Sequence, residues 1–122
     1  MSLVIFYPNK MVAVFKVEND ADIKNVMSMH FGPLGCVMTP CCAWKETYGD
    51  AVWAHWDNMK GEYNKFAVDK MEPMGARIGA LRVTGPVILC RHASVTHVDQ
   101  SKNVYAPLSD SDVKLLIGST SQ

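Results

Sequence analysis

The sequence has no feature typical of a membrane or secreted protein. No apolar run approaches the roughly 18 residues of a membrane-spanning helix. The N-terminal stretch reaches Pro8 without a basic residue, which argues against a secretory signal peptide. We therefore expect a cytoplasmic protein without membrane contacts, whose four cysteines are thiols.

An excess of positive charge is also missing. Lysine plus arginine equals aspartate plus glutamate, 12 each, so the formal net charge is zero. A protein that binds nucleic acid non-specifically normally carries a basic excess, so this class is disfavoured. Neither a P-loop nor a G-x-G-x-x-G motif occurs, and no nucleophile-elbow motif is present. The common nucleotide-binding and hydrolase classes therefore have no motif in this sequence. Internal repeats and low-complexity segments are absent as well.

The composition is that of a globular chain, with 48% hydrophobic and 20% charged residues among 122. Apolar patterns and turn residues predict short strands and three helices. The predicted strands are Leu3–Tyr7, Met11–Val17, Leu34–Met38, Ala51–Asp57, Ala80–His92 and Val104–Leu108. The first two form a hairpin or one strand broken by the turn at Pro8. The predicted helices are Asp20–Phe31, Lys65–Glu72 after an Asn64 cap, and one that begins near Ser109. A loop is expected at residues 39–42.

The stretch Ala80–His92 is the longest predicted strand, and we expect it to lie at the centre of the sheet. Gly85-Pro86 interrupts it, and the pair indicates a kink or bulge rather than an end. The sequence thus predicts an α+β fold with a bent, mainly antiparallel sheet and two or three short helices on one face. It predicts one domain over residues 1–118 and a frayed tail over residues 119–122.

Cysteine and histidine residues suggest two kinds of reactive site. Zinc needs four thiolate or imidazole ligands, and Cys90-x-His92 would place two on one face of a strand. The adjacent pair Cys41-Cys42 could add ligands, although neighbouring side chains diverge. A thiol nucleophile at Cys41 or Cys42, with His55 or His92 as its base, is the second hypothesis. The remaining candidate ligands are Cys36, His30 and His97.

The competing interpretation is that Cys36 and Cys90 are buried apolar residues in strands. For this reason we assign no metal, cofactor or catalytic residue from the sequence.

Aromatic residues suggest a binding surface. Trp53 and Trp56 are an odd number of positions apart, so a regular strand cannot bury both on one face. At least one should be exposed, or packed under a loop or a second subunit. Exposed tryptophan is typical of protein-binding and base-stacking surfaces. The binding residues predicted from this pattern and from nearby polar side chains are Trp53, Trp56, Asn64, Arg77 and Arg82. The alternative is an aromatic cluster that covers a small core.

Three short motifs resemble a family of small phage and plasmid proteins of uncharacterised function. They are an Asn-x-x-Ala helix start at Asn64–Ala67, a Gly-x-Val-Ile strand at Gly85–Leu89 and a Pro-Leu-Ser-x-x-Asp helix cap at Pro107–Asp112. The likeness extends from Met11 to Gly118, although the segment from Thr39 to Trp56 is longer and more aromatic than the family pattern. The resemblance implies an α+β fold, a mobile-element origin and a location in the host bacterial cytoplasm. It implies no catalytic activity.

Taken together, these patterns predict a non-enzymatic accessory protein of a phage or mobile element. It would bind a host protein or a small nucleotide-like ligand, and inhibition of a host defence is one form this binding could take. The second hypothesis is a small zinc-containing module that uses cysteine and histidine ligands. The third is a thiol-dependent enzyme. Exposed sheet edges are also compatible with a homo-oligomer.

Overall fold

The computed structural model describes residues 1–31, 37–41, 52–57, 61–76, 78, 81–94 and 102–118. Six strands and three α-helices lie in this part of the chain. In chain order they are β1 (Ser2–Phe6), β2 (Val12–Lys16), α1 (Asp20–Phe31), β3 (Val37–Cys41), β4 (Val52–Trp56), α2 (Lys65–Met71), β5 (Val87–Ser94), β6 (Val104–Ala106) and α3 (Asp110–Gly118). A short 3₁₀ turn, Glu72–Met74, follows α2. None of the described helices is long and apolar enough to cross a membrane.

The strands form one antiparallel sheet in the order β2-β1-β5-β4-β3, and β6 pairs with the end of β5. The predicted α+β class and antiparallel sheet are therefore confirmed, and β5 is central as expected. The β1–β2 hairpin closes through a turn in which the Lys10 N–H donates to Tyr7 O at 3.0 Å. Lys10 has a φ of 72°, as expected for the last residue of a three-residue hairpin loop.

The long predicted strand is shorter than expected, because β5 begins only at Val87. Gly85 has a φ of 66°, which is a turn conformation. Its backbone also lies against Gly61, where an added Cβ would come within 3.0 Å of Gly85 Cα. The prediction that Gly85-Pro86 bends a continuous strand is wrong, since this pair immediately precedes the strand. Residues 79 and 80 lie outside the described part.

The loop predicted at residues 39–42 is also wrong for residues 39–41, which belong to β3. Pro40 lies opposite Trp53 in the ladder between β3 and β4. An edge strand tolerates proline because one side of its backbone needs no ladder hydrogen bond. The first part of the predicted strand Leu34–Met38 falls on residues 34–36, which are outside the described part.

Helices cover both faces of the sheet. Helices α2 and α3 pack on the face that carries Val4, Phe6 and Leu89. Helix α1 packs on the opposite face through Ile23, Met27 and Phe31, against alternate residues of β1 and β5. Two short helices thus share one face as predicted, and α1 encloses the other face, on which the candidate site lies.

Candidate metal centre

Three buried side chains on the α1 face could together bind a metal ion. His55 lies on β4, and Cys90 and His92 lie two residues apart on β5. Their ligand atoms all lie within 4.8 Å of one another. His55 and Cys90 are 0% exposed and His92 is 6% exposed. Because β4 pairs with β5 through His55↔Ile88 and Trp53↔Cys90, the alternation of both strands directs these three side chains to the same face.

The backbone fixes the orientation of the His55 ring. Its Nδ1 lies 3.0 Å from the carbonyl oxygen of Ile88, which can only accept a hydrogen bond. A neutral ring that donates from Nδ1 presents an unprotonated Nε2, the atom that would bind a metal. That Nε2 lies 2.7 Å from Nε2 of His92. His92 therefore provides the proton of this second hydrogen bond.

The His55 ring is neutral at physiological pH. Burial, followed by the electrostatic effect of His92, lowers the pKa of His55 from 6.5 to about 3. A neutral imidazole is the form that coordinates a metal, so His55 would bind a cation without first releasing a proton.

Aromatic rings enclose the two imidazoles. The centroid of the Trp53 ring lies 5.2 Å from that of His92. The two histidine rings are nearly parallel, with centroids 5.0 Å apart, and meet edge to edge at their Nε2 atoms. Tyr105 meets both imidazoles edge-on, at 5.5 Å from His55 and 4.9 Å from His92. The backbone N–H of Tyr105 donates to Asp20 at the start of α1, at 2.7 Å. Helix α1 thereby holds Tyr105 and β6 against the site.

Two of the cysteine and histidine residues predicted as ligands, Cys90 and His92, belong to this cluster. Cys41 is buried on the opposite face, because it pairs with Val52 and belongs to the core under α2 and α3. Cys41 therefore does not join His92 in a zinc site, and neither His55 nor His92 can act as its base, so these two predictions are wrong for Cys41. His30 lies on α1, near Tyr7. Cys36, Cys42 and His97 fall outside the described residues.

The predicted aromatic binding surface is not formed by the tryptophans. Trp53 and Trp56 are 2% and 0% exposed and lie on opposite faces, as their odd spacing requires. Trp56 packs under a loop, since its indole N–H donates to Arg82 O at 2.8 Å. Asn64 is 0% exposed and caps α2, whereas Arg82 is exposed. Of the five predicted binding residues, Trp53, Trp56 and Asn64 are therefore core residues. Arg77 lies outside the described part.

The sequence interpretation missed His55 as a ligand and considered it only as a base. Alternation along a strand predicts from the sequence that Trp53 and His55 share one face of β4, and that Cys90 and His92 share one face of β5. That the two faces coincide depends on the pairing of β4 with β5, which joins residues more than 30 positions apart.

Comparison with protein-family models, curated proteins and solved structures finds no match to this chain. The resemblance to phage and plasmid proteins therefore stays a prediction.

Proposed function

We propose that this protein is a small metal-binding module that holds one zinc-class cation through His55, Cys90 and His92. The observation that carries the proposal is the convergence of two imidazoles and one thiol within 4.8 Å in a buried site. Sulfur and imidazole donors suit zinc and related late transition metals, whereas magnesium and calcium take oxygen ligands.

The spacing of the donors fits such an ion after a small adjustment. Zinc bonds of about 2.0–2.1 Å to nitrogen and 2.3 Å to sulfur place two tetrahedral nitrogen ligands about 3.3 Å apart. The two Nε2 atoms lie 2.7 Å apart. They would have to separate by roughly 0.6 Å as the metal replaces the hydrogen bond between them, and the proton on His92 Nε2 would be released on binding.

The surroundings favour binding. The bond from His55 to Ile88 O is the outer contact that usually orients a ligating imidazole. Three protein ligands leave one position of a tetrahedral site for water or a further side chain. Met38 lies directly opposite His55 in the β3–β4 ladder, on the same face, and its thioether is a soft donor. A bound ion would connect β4 to β5 at the centre of the sheet.

The thiol-enzyme alternative has less support, because Cys90 is fully buried and a substrate could not approach its sulfur. The wider role predicted from the sequence, an accessory protein that acts by binding, is compatible with a metal-binding module and stays a prediction.

The test is metal analysis of protein purified without chelator, followed by cobalt titration of the metal-free form. We expect about one zinc per chain, and cobalt should produce a thiolate-to-metal charge-transfer band together with the visible bands of tetrahedral coordination. Cys90→Ala should abolish the charge-transfer band and weaken binding at least tenfold, because the thiolate is lost.

The matched control is Cys41→Ala, which removes an equally buried thiol from the other face of the sheet. It should leave the band and the affinity unchanged. Wild-type protein that contains no zinc and shows no saturable cobalt binding would refute the proposal, as would a Cys90→Ala variant that binds like wild type.

A further inference from the structure

We propose that a second copy of this chain pairs with the outer edge of β2, so that two sheets join through antiparallel β2 strands. Strand β2 ends the strand order of the sheet, and within the described residues no strand pairs with its outer side. An exposed strand edge offers unpaired N–H and C=O groups to another chain. This surface is independent of the metal centre.

The hydrogen-bond pattern shows which residues of β2 face outward. The N–H of Tyr7 donates to Met11 O at 2.9 Å, and the N–H of Val17 donates to Met1 O at 3.1 Å. Both Met11 and Val17 therefore bond toward β1, as do the alternate residues between them. The backbone groups of Val12, Val14 and Lys16 point away from the sheet. They form the half of an antiparallel ladder that no described strand occupies.

The strand is complementary to itself. An antiparallel pair that aligns Val12–Lys16 with its own copy places Val14 opposite Val14 and Val12 opposite Lys16. All three are outward-bonding positions, so each opposed pair forms two hydrogen bonds, about six in total. The two lysines do not oppose each other, and like charges therefore do not prevent this register.

The side chains around this register also favour a second copy over an unrelated partner. Val14 is 46% exposed and Phe15 is 40% exposed, on opposite faces of the edge strand. The dimer would place Phe15 opposite Ala13 of the other copy, at the closer non-hydrogen-bonded position. Beyond the strand ends, the exposed Lys10 would lie level with the oppositely charged Glu18 of the other copy, twice by symmetry.

The test is the mass in solution by light scattering and sedimentation over a wide concentration range, in the presence of a metal chelator. We expect the mass to double from 13.5 kDa as the concentration rises. Val14→Pro removes only an outward N–H and should keep the protein monomeric without disturbing β1. Val14→Lys should have the same effect, because it places two like charges directly opposite each other.

The matched control is Val104→Lys, which makes the same substitution at a 40% exposed valine on β6 and should still dimerise. Circular dichroism verifies that each variant is folded. A wild-type chain that stays monomeric at every concentration overturns the proposal, as does a dimer that persists in both Val14 variants. Equal loss of the dimer in Val104→Lys also overturns it, since the effect would not depend on β2.

Discussion

The side chain of Asn64 connects three parts of the chain. Its Nδ2 donates to Phe6 O at 2.9 Å and to Gly85 O at 2.8 Å, and its Oδ1 accepts from Ala67 N at 2.9 Å. The residue is fully buried. One amide thus caps α2 and satisfies two carbonyl groups, one on β1 and one immediately before β5.

We predict that Asn64→Ala lowers the free energy of unfolding by about 2–4 kcal/mol, measured by urea denaturation. The loss combines a helix cap, worth about 1 kcal/mol, with two buried carbonyl groups that lose their donor. The control is Asn19→Ala, which removes the cap that accepts from Asp22 N at 3.0 Å in an exposed position. It should cost only about 0.5–1 kcal/mol. Equal losses in the two variants would contradict the prediction.

The same residue shows what local sequence can and cannot predict. A cap at Asn64 follows from residue type and from the apolar pattern after it, and the structure confirms it. The two carbonyl partners lie 58 and 21 positions away, where no local pattern indicates them. The sequence alone therefore indicates a polar surface residue, whereas the hydrogen bonds of the amide hold the core together.

At the scale of helices and strands, sequence patterns predicted the elements that depend on neighbouring residues, such as a cap or a turn. The hairpin, α1 and α2 each combine alternating or helical apolar residues with a turn or cap, and all three are confirmed. One error falls where strand pairing overrides a turn signal, since Pro40 continues as an edge strand paired with β4. The other is the reverse case: Gly85 has the turn conformation that its sequence signals, and β5 begins only after it.

Helix α3 is attached to the sheet by a charged pair with two roles. Asp112 accepts from Arg91 Nε at 2.6 Å and from Arg91 Nη2 at 2.8 Å. The same carboxylate accepts from Ser109 N at 3.1 Å, and Ser109 Oγ accepts from Asp112 N at 3.2 Å, which completes the predicted capping box. The Arg91 guanidinium is the main cause that lowers the pKa of Asp112.

We predict a coupling free energy of about 1.5–3 kcal/mol between Arg91 and Asp112, because the pair is bidentate and only 22% and 4% of the two side chains is exposed. The measurement is a double-mutant cycle with Arg91→Met and Asp112→Asn in chelator, followed by chemical denaturation. The control cycle uses Lys65 and Asp69, an exposed pair on α2 at 2.9 Å, and should give a much smaller coupling because solvent screens the two charges. A coupling no larger than that of the control pair would refute the prediction.

At the scale of the whole molecule, the candidate metal centre exists because of strand register. Moving β4 by one residue against β5 would turn His55 to the α2 and α3 face and Ala54 toward Cys90. The sequence contains the patterns Trp53-x-His55 and Cys90-x-His92, but it does not specify that their two strands are neighbours. Composition and alternation could therefore predict the class of fold and the Cys90-x-His92 half of the site, whereas the third ligand needed the assembled sheet.

The buried imidazole of His55 also makes the stability of the whole metal-free protein depend on pH. In the unfolded chain this ring titrates near 6.5, and in the folded protein its pKa is about 3. Between these two values the unfolded state binds a proton that the folded state does not bind. The free energy of unfolding must therefore fall as the pH falls through this window, by up to about 1.4 kcal/mol per pH unit from this group.

We predict that metal-free protein, held in chelator, loses stability steeply between pH 6.5 and pH 5, where most carboxylates are still ionised. Urea denaturation at several pH values measures the slope. His55→Gln should reduce the slope by up to about 1.4 kcal/mol per pH unit, because the group that causes the difference is gone. Cys90→Ala serves as the control, since it disturbs the same cluster but keeps both imidazoles, and it should shift the curve without changing its slope. If the slope is unchanged in His55→Gln, His55 takes up its proton at the same pH in the folded chain as in the unfolded chain. The folded protein would then not hold His55 as a neutral metal ligand below pH 6.5, and the prediction would be refuted.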